Sequence, residues 1–430
     1  MSSIKKEIIL VLQFFDENTT STLRFQSLIN EFTANKNYSV KVVIICYPII
    51  FNKALGLEVN QKDNYQFNDL QIFKYYPKLN IIQKLGFYAI NTKFRFLWKI
   101  CQMATVMFYS KDNFHINYND DLLNVKDLTI KNGFVIAFGG PFGLFSIASK
   151  MAKKFDYKLI LDYRDPWTFG YTPHGGIKFL HRLKNKIEKK NELFLLSQTV
   201  AITTVSSSLK EFFPKNIQTK VKVIPNGSNF DDNEIIKITN IKKFNIVYAG
   251  TIYKEQLGDL TFFESFNIFL KGKNVNNISL QFVGSNNNPL LKNLLSKYNL
   301  LNVSTISKRV LRNDLLKILN ESSVFLHLKY GDKRDIITSK QADYLAFRRP
   351  ILLPMDDHGD LSESIRRNKA GYVCNNINEN IQILNMLYLK FLQVENLFIE
   401  QPDNFIDSFS RKTIARNFVE SVLEEVNVDT

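Results

Sequence analysis

A polar loop around Asp335 runs into Thr338, Ser339 and Lys340, and a second acid, Asp343, follows before the chain turns apolar again at Pro350–Leu353. Thr338 to Lys340 fall where a helix leaves its first amide groups unpaired, a setting that suits an anion such as a phosphate. Lys340 and Asp343 are neighbours on one helical turn. An ammonium there can hold phosphate charge while the carboxylate accepts hydrogen bonds from sugar hydroxyls. The same residues also read as a plain helix N-terminus with a Ser/Thr cap and an i,i+3 ion pair. The elements around them have to decide between the two.

With 430 residues and 45% hydrophobic content, the chain is long enough for two packed cores. No apolar run approaches the roughly 20 residues needed to span a bilayer, and Met1–Glu7 leads straight into the strand-like Ile8–Leu12, so no signal peptide is expected. Cys46, Cys101 and Cys374 form no CxxC pair, and the five histidines show no metal-ligand spacing. The expectation is a cytoplasmic protein with no metal site.

Fifty-six Lys+Arg against 41 Asp+Glu, a net charge of +15, call for an anionic partner. Residues 70–111 hold seven of the cations (Lys74, Lys78, Lys84, Lys93, Arg95, Lys99, Lys111), no acid and ten aromatics. That mixture suits a membrane interface, where cations meet headgroups and amphipathic rings sit at the boundary. It also suits an ordinary helical pair with aromatics inside and lysines in water. A second basic run, Arg182, Lys184, Lys186, Lys189 and Lys190, reads as a solvated helix face.

Short β-rich runs alternate with helical patterns, which predicts parallel sheets with crossover helices. The first series has strands at Glu7–Phe14, Val40–Cys46, Val135–Phe138, Leu159–Tyr163, Val200–Val205 and Val221–Ile224. Pro225-Asn226-Gly227 signals a turn, and the polar stretch 228–243 reads as a linker. A second series has strands at Phe244–Ala249, Ile278–Val283, Ser304–Ile306, Val324–Leu328, Pro350–Leu353 and Gly371–Val373. A last helix, Phe409–Val426, carries Phe409, Ala415, Phe418, Val422 and Val426 on roughly one face. The fold class is therefore α/β, with two doubly wound Rossmann-like domains facing a central cleft. Their expected limits are 1–227, a linker at 228–243, 244–404, and a closing helix at 405–430.

Ligands of such sheets bind at the carboxyl ends of the strands. Chemistry-bearing residues do follow strands here: Asp16–Ser21, Gly139–Gly143, Arg164-Asp165, Gly250–Lys254, Gly284-Ser285 and the Asp335 loop. Gly250-Thr251 has neither a GxGxxG nor a Walker pattern, so the dinucleotide and ATP fingerprints are missing.

In order and spacing, Leu161–Trp167, Ala201–Ser208, Val223–Gly227, Val247–Thr251, Gln281–Gly284 and Thr338–Leu345 with Arg349-Pro350 resemble the GT-B glycosyltransferases. The specific resemblance is to the retaining family 4 type of bacterial polysaccharide assembly. Asp335 and Asp343 stand eight positions apart, where that family has two glutamates. The resemblance implies ribose contact by Asp343 and donor-sugar contact by Asp335. It implies a diphosphate cradle from Thr338, Ser339 and Lys340, with Lys254 adding charge, Gly250, Thr251 and Gly284 admitting the phosphates, and Arg309 and Val310 bordering the base. On the acceptor side it points to Asn18, Thr19, Gly139 and Gly140, with Arg164 and Asp165 as the polar groups near the transferred sugar. Two departures stand out: the loop Asp16–Ser21 contains no glycine, and Phe142 lies where related sequences often carry a histidine.

The expected activity is metal-independent, retaining transfer of a sugar from a nucleoside diphosphate sugar, with no other cofactor, to a glycan or lipid-linked acceptor in bacterial surface polysaccharide synthesis. Its catalytic set would be Asp335, Arg164, Asp165 and Lys340. Residues 70–111 are the candidate contact with an anionic membrane at its inner face. No nucleic-acid partner is expected. The alternatives are a catalytically degenerate sugar-nucleotide-binding scaffold and a nucleotide-sugar epimerase of the same fold.

Overall fold

Among the described residues, eight strands form one sheet and six form another. The computed structural model describes residues 5–13, 20–46, 64–67, 70–75, 81–90, 96–97, 100–101, 104, 133–170, 178–236, 242–393, 397–402 and 405–428. The chain divides into two compact units, Met1–Pro225 with Ala415–Thr430, and Asn226–Ile414.

In the first unit the strands are β1 (Lys6–Leu12), β2 (Tyr38–Ile45), β3 (Asn64–Phe67), β4 (Leu70–Tyr75), β5 (Phe134–Phe138), β6 (Lys158–Tyr163), β7 (Thr199–Thr204) and β8 (Val221–Val223), ordered β3-β4-β2-β1-β5-β6-β7-β8. Only β3 runs antiparallel, against β4. The inner strands are predominantly apolar because a parallel sheet is covered on both faces, and Ile8 to Leu12 are almost wholly buried. The helices include α1 (Thr20–Ala34), α2 (Ile81–Ile90), α3 (Gly143–Phe155) and α4 (Lys178–Gln198).

β3 and β4 were not expected from the sequence. Segment 70–111 opens with a strand instead of a helix, and much of the remainder of that segment lies outside the described residues. At the other end, the predicted single helix 409–426 is divided. A short helix, Phe405–Phe409, stops at Ser410, which pairs with Ser228 in an isolated bridge, and a new helix starts at Arg411. Its continuation widens into a π-helical stretch at Val419–Glu424, and Phe418, Val422 and Leu423 are buried in the first unit, Phe418 against Phe32.

The second unit has β9 (Phe244–Ala249), β10 (Ile278–Val283), β11 (Ser304–Ile306), β12 (Val324–Leu326), β13 (Ile351–Leu353) and β14 (Gly371–Val373), all parallel, in the order β11-β10-β9-β12-β13-β14. Its helices include α5 (Thr261–Leu270), α6 (Pro289–Lys297), α7 (Arg312–Asn320), α8 (Ser339–Phe347), α9 (Asp360–Arg367) and α10 (Ile377–Leu392). Ser228 and Phe230, at the start of the stretch read as a linker, are buried in this unit, and the Ser228 amide donates to the Phe409 carbonyl at 2.7 Å. β9 is central, so whatever follows it sits among the ends of its neighbours.

Candidate functional site

β9 ends at Gly250, whose φ of +124° is a backbone conformation that suits glycine and not an L side chain. A Cβ at this position would come within 3.5 Å of the Lys340 Cε and 3.7 Å of its Nζ. The loop after β10 closes the other side: the Ser285 hydroxyl donates to the Gly250 carbonyl at 2.7 Å, and the Gly284 side-chain direction points at Gly250 and at Arg309, each 3.8 Å away. Gly250, Gly284, Arg309 and Lys340 are thereby gathered at the carboxyl ends of β9, β10 and β11 and the start of α8.

Thr338 is the N-cap of α8 and makes no side-chain cap bond, so the side chain at the cap leaves the leading amides to other acceptors. The Lys340 ammonium donates to the Tyr248 hydroxyl at 2.6 Å and lies 3.9 Å from the centroid of the Tyr248 ring. Burial of this ammonium brings its pKa down to about 7, because the charged form loses hydration that one phenol and one ring face do not replace. Tyr248 is fixed in turn, its hydroxyl 3.0 Å from the Thr251 carbonyl and 3.1 Å from the Gln256 amide oxygen. Behind them His327, directly after β12, is wholly buried. Desolvation first, and the positive Lys340 second, hold its pKa well below the usual imidazole range, so it is neutral. Gly250 and the Lys340 amine thus meet at a helix N-terminus, an arrangement that suits phosphate charge.

Asp343, for which the resemblance implies ribose contact, is held by donors of its own unit. Its carboxylate accepts from the Asn229 amide at 2.7 Å, the Asn229 side chain at 2.9 Å and the Ser228 hydroxyl at 3.2 Å, and Arg411 holds the other end of the Asn229 side chain at 2.5 Å. Burial raises its pKa, and the Asn229 bonds and Arg411 oppose that rise. Asp343→Asn would turn an amide N–H toward the Asn229 side-chain donor. A loss of about 2 kcal/mol is expected, read as a lower urea midpoint with an unchanged slope; unchanged stability would mean the carboxylate is free for a ligand.

Asp335 sits at a partly exposed bend, in a loop pinned one residue earlier, where the Asp360 amide donates to the Arg334 carbonyl at 2.8 Å. Thr251, Lys254 and Arg309 are exposed, whereas Val310 packs on the apolar cluster beneath β9 and α8. In the first unit, Arg164 donates to the Gly139 carbonyl at 3.0 Å and stands 3.5 Å from the Cβ direction of Gly140, so these three positions are brought together, with Asp165 exposed beside them. Asn18 and Thr19 lie outside the described residues. Phe142 stacks on Trp167 at 5.2 Å with the planes nearly parallel, and is buried.

Sequence reasoning missed Tyr248, His327, Asn229 and Arg411. Tyr248 had a usable signal: two residues before the strand-ending Gly250, a phenol is a costly choice for a central strand unless its hydroxyl has work at the strand end.

No family profile matches the chain. No curated protein matches its sequence. Among solved structures, a sucrose-phosphate synthase from Thermosynechococcus elongatus superposes with a TM-score of 0.61 at 10% identity, covering 99% of this chain and 100% of that one. A glycosyltransferase from Rickettsia africae gives 0.57 at 14% identity over 99% and 100% of the two chains. An alpha,alpha-trehalose-phosphate synthase (UDP-forming) from Burkholderia vietnamiensis gives 0.54 at 10% identity over 99% and 100%. At these identities the likeness is one of fold, the two Rossmann-like domains of GT-B.

Proposed function

We propose that this chain transfers a sugar from a nucleoside diphosphate sugar to a glycan or lipid-linked acceptor, with retention of configuration and without a metal ion, in the assembly of a bacterial surface polysaccharide. The observation that carries the reading is the meeting of Gly250, the uncapped start of α8 and the Lys340 ammonium at the carboxyl ends of a parallel sheet. Breaking a sugar–phosphate bond builds charge on the departing diphosphate, and preorganised amides with a partly buried cation stabilise that charge more than they stabilise the ground state. In this reading Ser339 and Lys340 take the leaving group, Asp335 faces the donor sugar, Lys254 and Arg309 border the nucleotide, and Arg164 and Asp165 serve the acceptor side. No Asp-x-Asp pair occurs in the sequence, which supports charge neutralisation by protein groups. Residues 70–111 are assigned to an anionic membrane face, a reading supported by Ile81, Leu85 and Tyr88, exposed at i, i+4 and i+7 of α2.

Calorimetric titration of the full chain with uridine, guanosine and cytidine diphosphates and their sugars tests the donor assignment. One diphosphate is expected to bind at least tenfold tighter than its nucleoside; parity with the nucleoside would remove the diphosphate site. The second reading, a sugar-nucleotide-binding scaffold, is favoured by Phe142, which turns its ring into the core and offers no polar group. It predicts the same binding with no donor turnover in the presence of membrane lipid and glycan acceptors.

A further inference from the structure

Helix α4 has its charges sorted by side. Both of its acids face inward: Glu188 is buried, and Glu192 is buried with its carboxylate accepting from the Thr168 amide at 3.0 Å. Outward stand Arg182, Lys186, Lys189 and Lys190, all exposed, Lys189 over the Phe169 ring at 4.7 Å. Large apolar side chains share that outer side, with Ile187 56%, Leu193 40% and Phe194 62% exposed. At about 100° per residue, Ile187, Lys190 and Phe194 stand within one narrow sector, flanked by Lys186 and Leu193, and Glu188 and Glu192 lie on the opposite side. A merely solvated face would interleave acids with its cations and would not spend a phenylalanine and an isoleucine on water.

We infer that the outer face of α4 is a docking surface for an anionic lipid bilayer. The charge complementarity is specific to that occupant. A second copy of the chain meeting the same face would set cations against cations, in a protein already carrying +15. A nucleic acid would satisfy the lysines and leave Ile187, Leu193 and Phe194 with nothing apolar to enter. A bilayer surface takes both: phosphate headgroups meet the lysines while the three apolar side chains enter between them. This surface is separate from α2 and does not rest on the transferase reading.

Co-sedimentation of the full chain with phosphatidylcholine vesicles, with and without phosphatidylglycerol, is the test. Wild type is expected to pellet with the phosphatidylglycerol vesicles only, and less at high salt. Lys186→Gln with Lys190→Gln should weaken partitioning roughly 25-fold, about fivefold per cation. Ile187→Ser with Phe194→Ser should weaken it about tenfold without lowering the melting temperature, since both side chains are exposed. Partitioning unchanged in both α4 variants, or lost only when Ile81 and Leu85 of α2 are changed to serine, overturns the inference. So does dimerisation of wild type in sedimentation velocity that Phe194→Ser abolishes, or preferential capture of a short RNA over the vesicles.

Discussion

Replacing Lys340 by methionine is expected to remove about 30-fold or more of the affinity for a nucleoside diphosphate, the scale of one buried charge-assisted contact, and at the same time to make the empty protein more stable. Both halves follow from the partly buried ammonium beside Tyr248 and Gly250. Its pKa of about 7 lies below the value of a lysine in an unfolded chain, so between pH 7 and about 10 the unfolded state binds more protons, and stability rises with pH across that window. Below pH 7 the folded protein carries the full cost of the buried charge. Methionine keeps the length of the side chain and removes the charge, for a gain of about 2 kcal/mol near neutrality, measurable as a higher melting temperature. The titratable groups packed around the ammonium, Tyr248 and the neutral His327, do not offset this behaviour in that range.

Binding should show the opposite dependence. A diphosphate sugar keeps its charge through this range, so above pH 7 the complex must take up a proton at Lys340, and affinity should fall as pH rises and level off below 7. In Lys340→Met the profile should be flat. Wild-type affinity in the variant, or the same pH slope in both, would reduce Lys340 to a helix side chain with no ligand role.

The second large effect is in the other unit. Asp162→Ala should destabilise the first unit by about 3–5 kcal/mol, the cost of leaving a buried partner charge uncompensated. Arg24 donates to the Asp162 carboxylate through two nitrogens, at 3.0 and 3.2 Å, and also to the carbonyls of Pro225 at 2.9 Å and Ile224 at 3.2 Å, while Thr203 donates to the same carboxylate at 2.5 Å. Arg24 thereby fastens α1 to β6 and to the chain leaving β8, and Asp162 adds β7 through Thr203. Adding Arg24→Met should restore a large part of the loss, because the stranded charge goes with it. Urea unfolding of the full chain, followed at the transition of the first unit, measures both. A loss under 1 kcal/mol for the single variant, or a double variant worse than the sum, would contradict this account.

The alternation of strands and helices was legible because each inner strand is an apolar run bounded by turn residues, and twelve strands lie close to where those runs place them. β3 and β4 were not, since Asn64–Tyr75 alternates weakly and the aromatic-rich stretch after it masks the signal. Lys340 and Gly250 could be found because a strand-ending glycine and a polar helix start are local patterns. Their meeting with Tyr248 and His327 could not, because it depends on four chain segments that only the parallel sheet brings together. The same holds for Asp343: the sequence shows an acid one turn from a lysine, and the competing donors, Asn229 and Ser228, come from more than a hundred residues away.

The short outermost strands bear on how this protein survives its own synthesis. Among the described residues β3 has four residues, and β8, β11 and β14 have three each, so the described edges of the two sheets offer only brief rows of amides and carbonyls. Lys222 in the middle of β8 is ion-paired with Glu425, a polar pair beside that edge. Long apolar strands such as β1 and β2 are kept to the interior. Cross-strand templating between molecules, the usual hazard of a chain this rich in Ile, Val and Phe, therefore has little to start from.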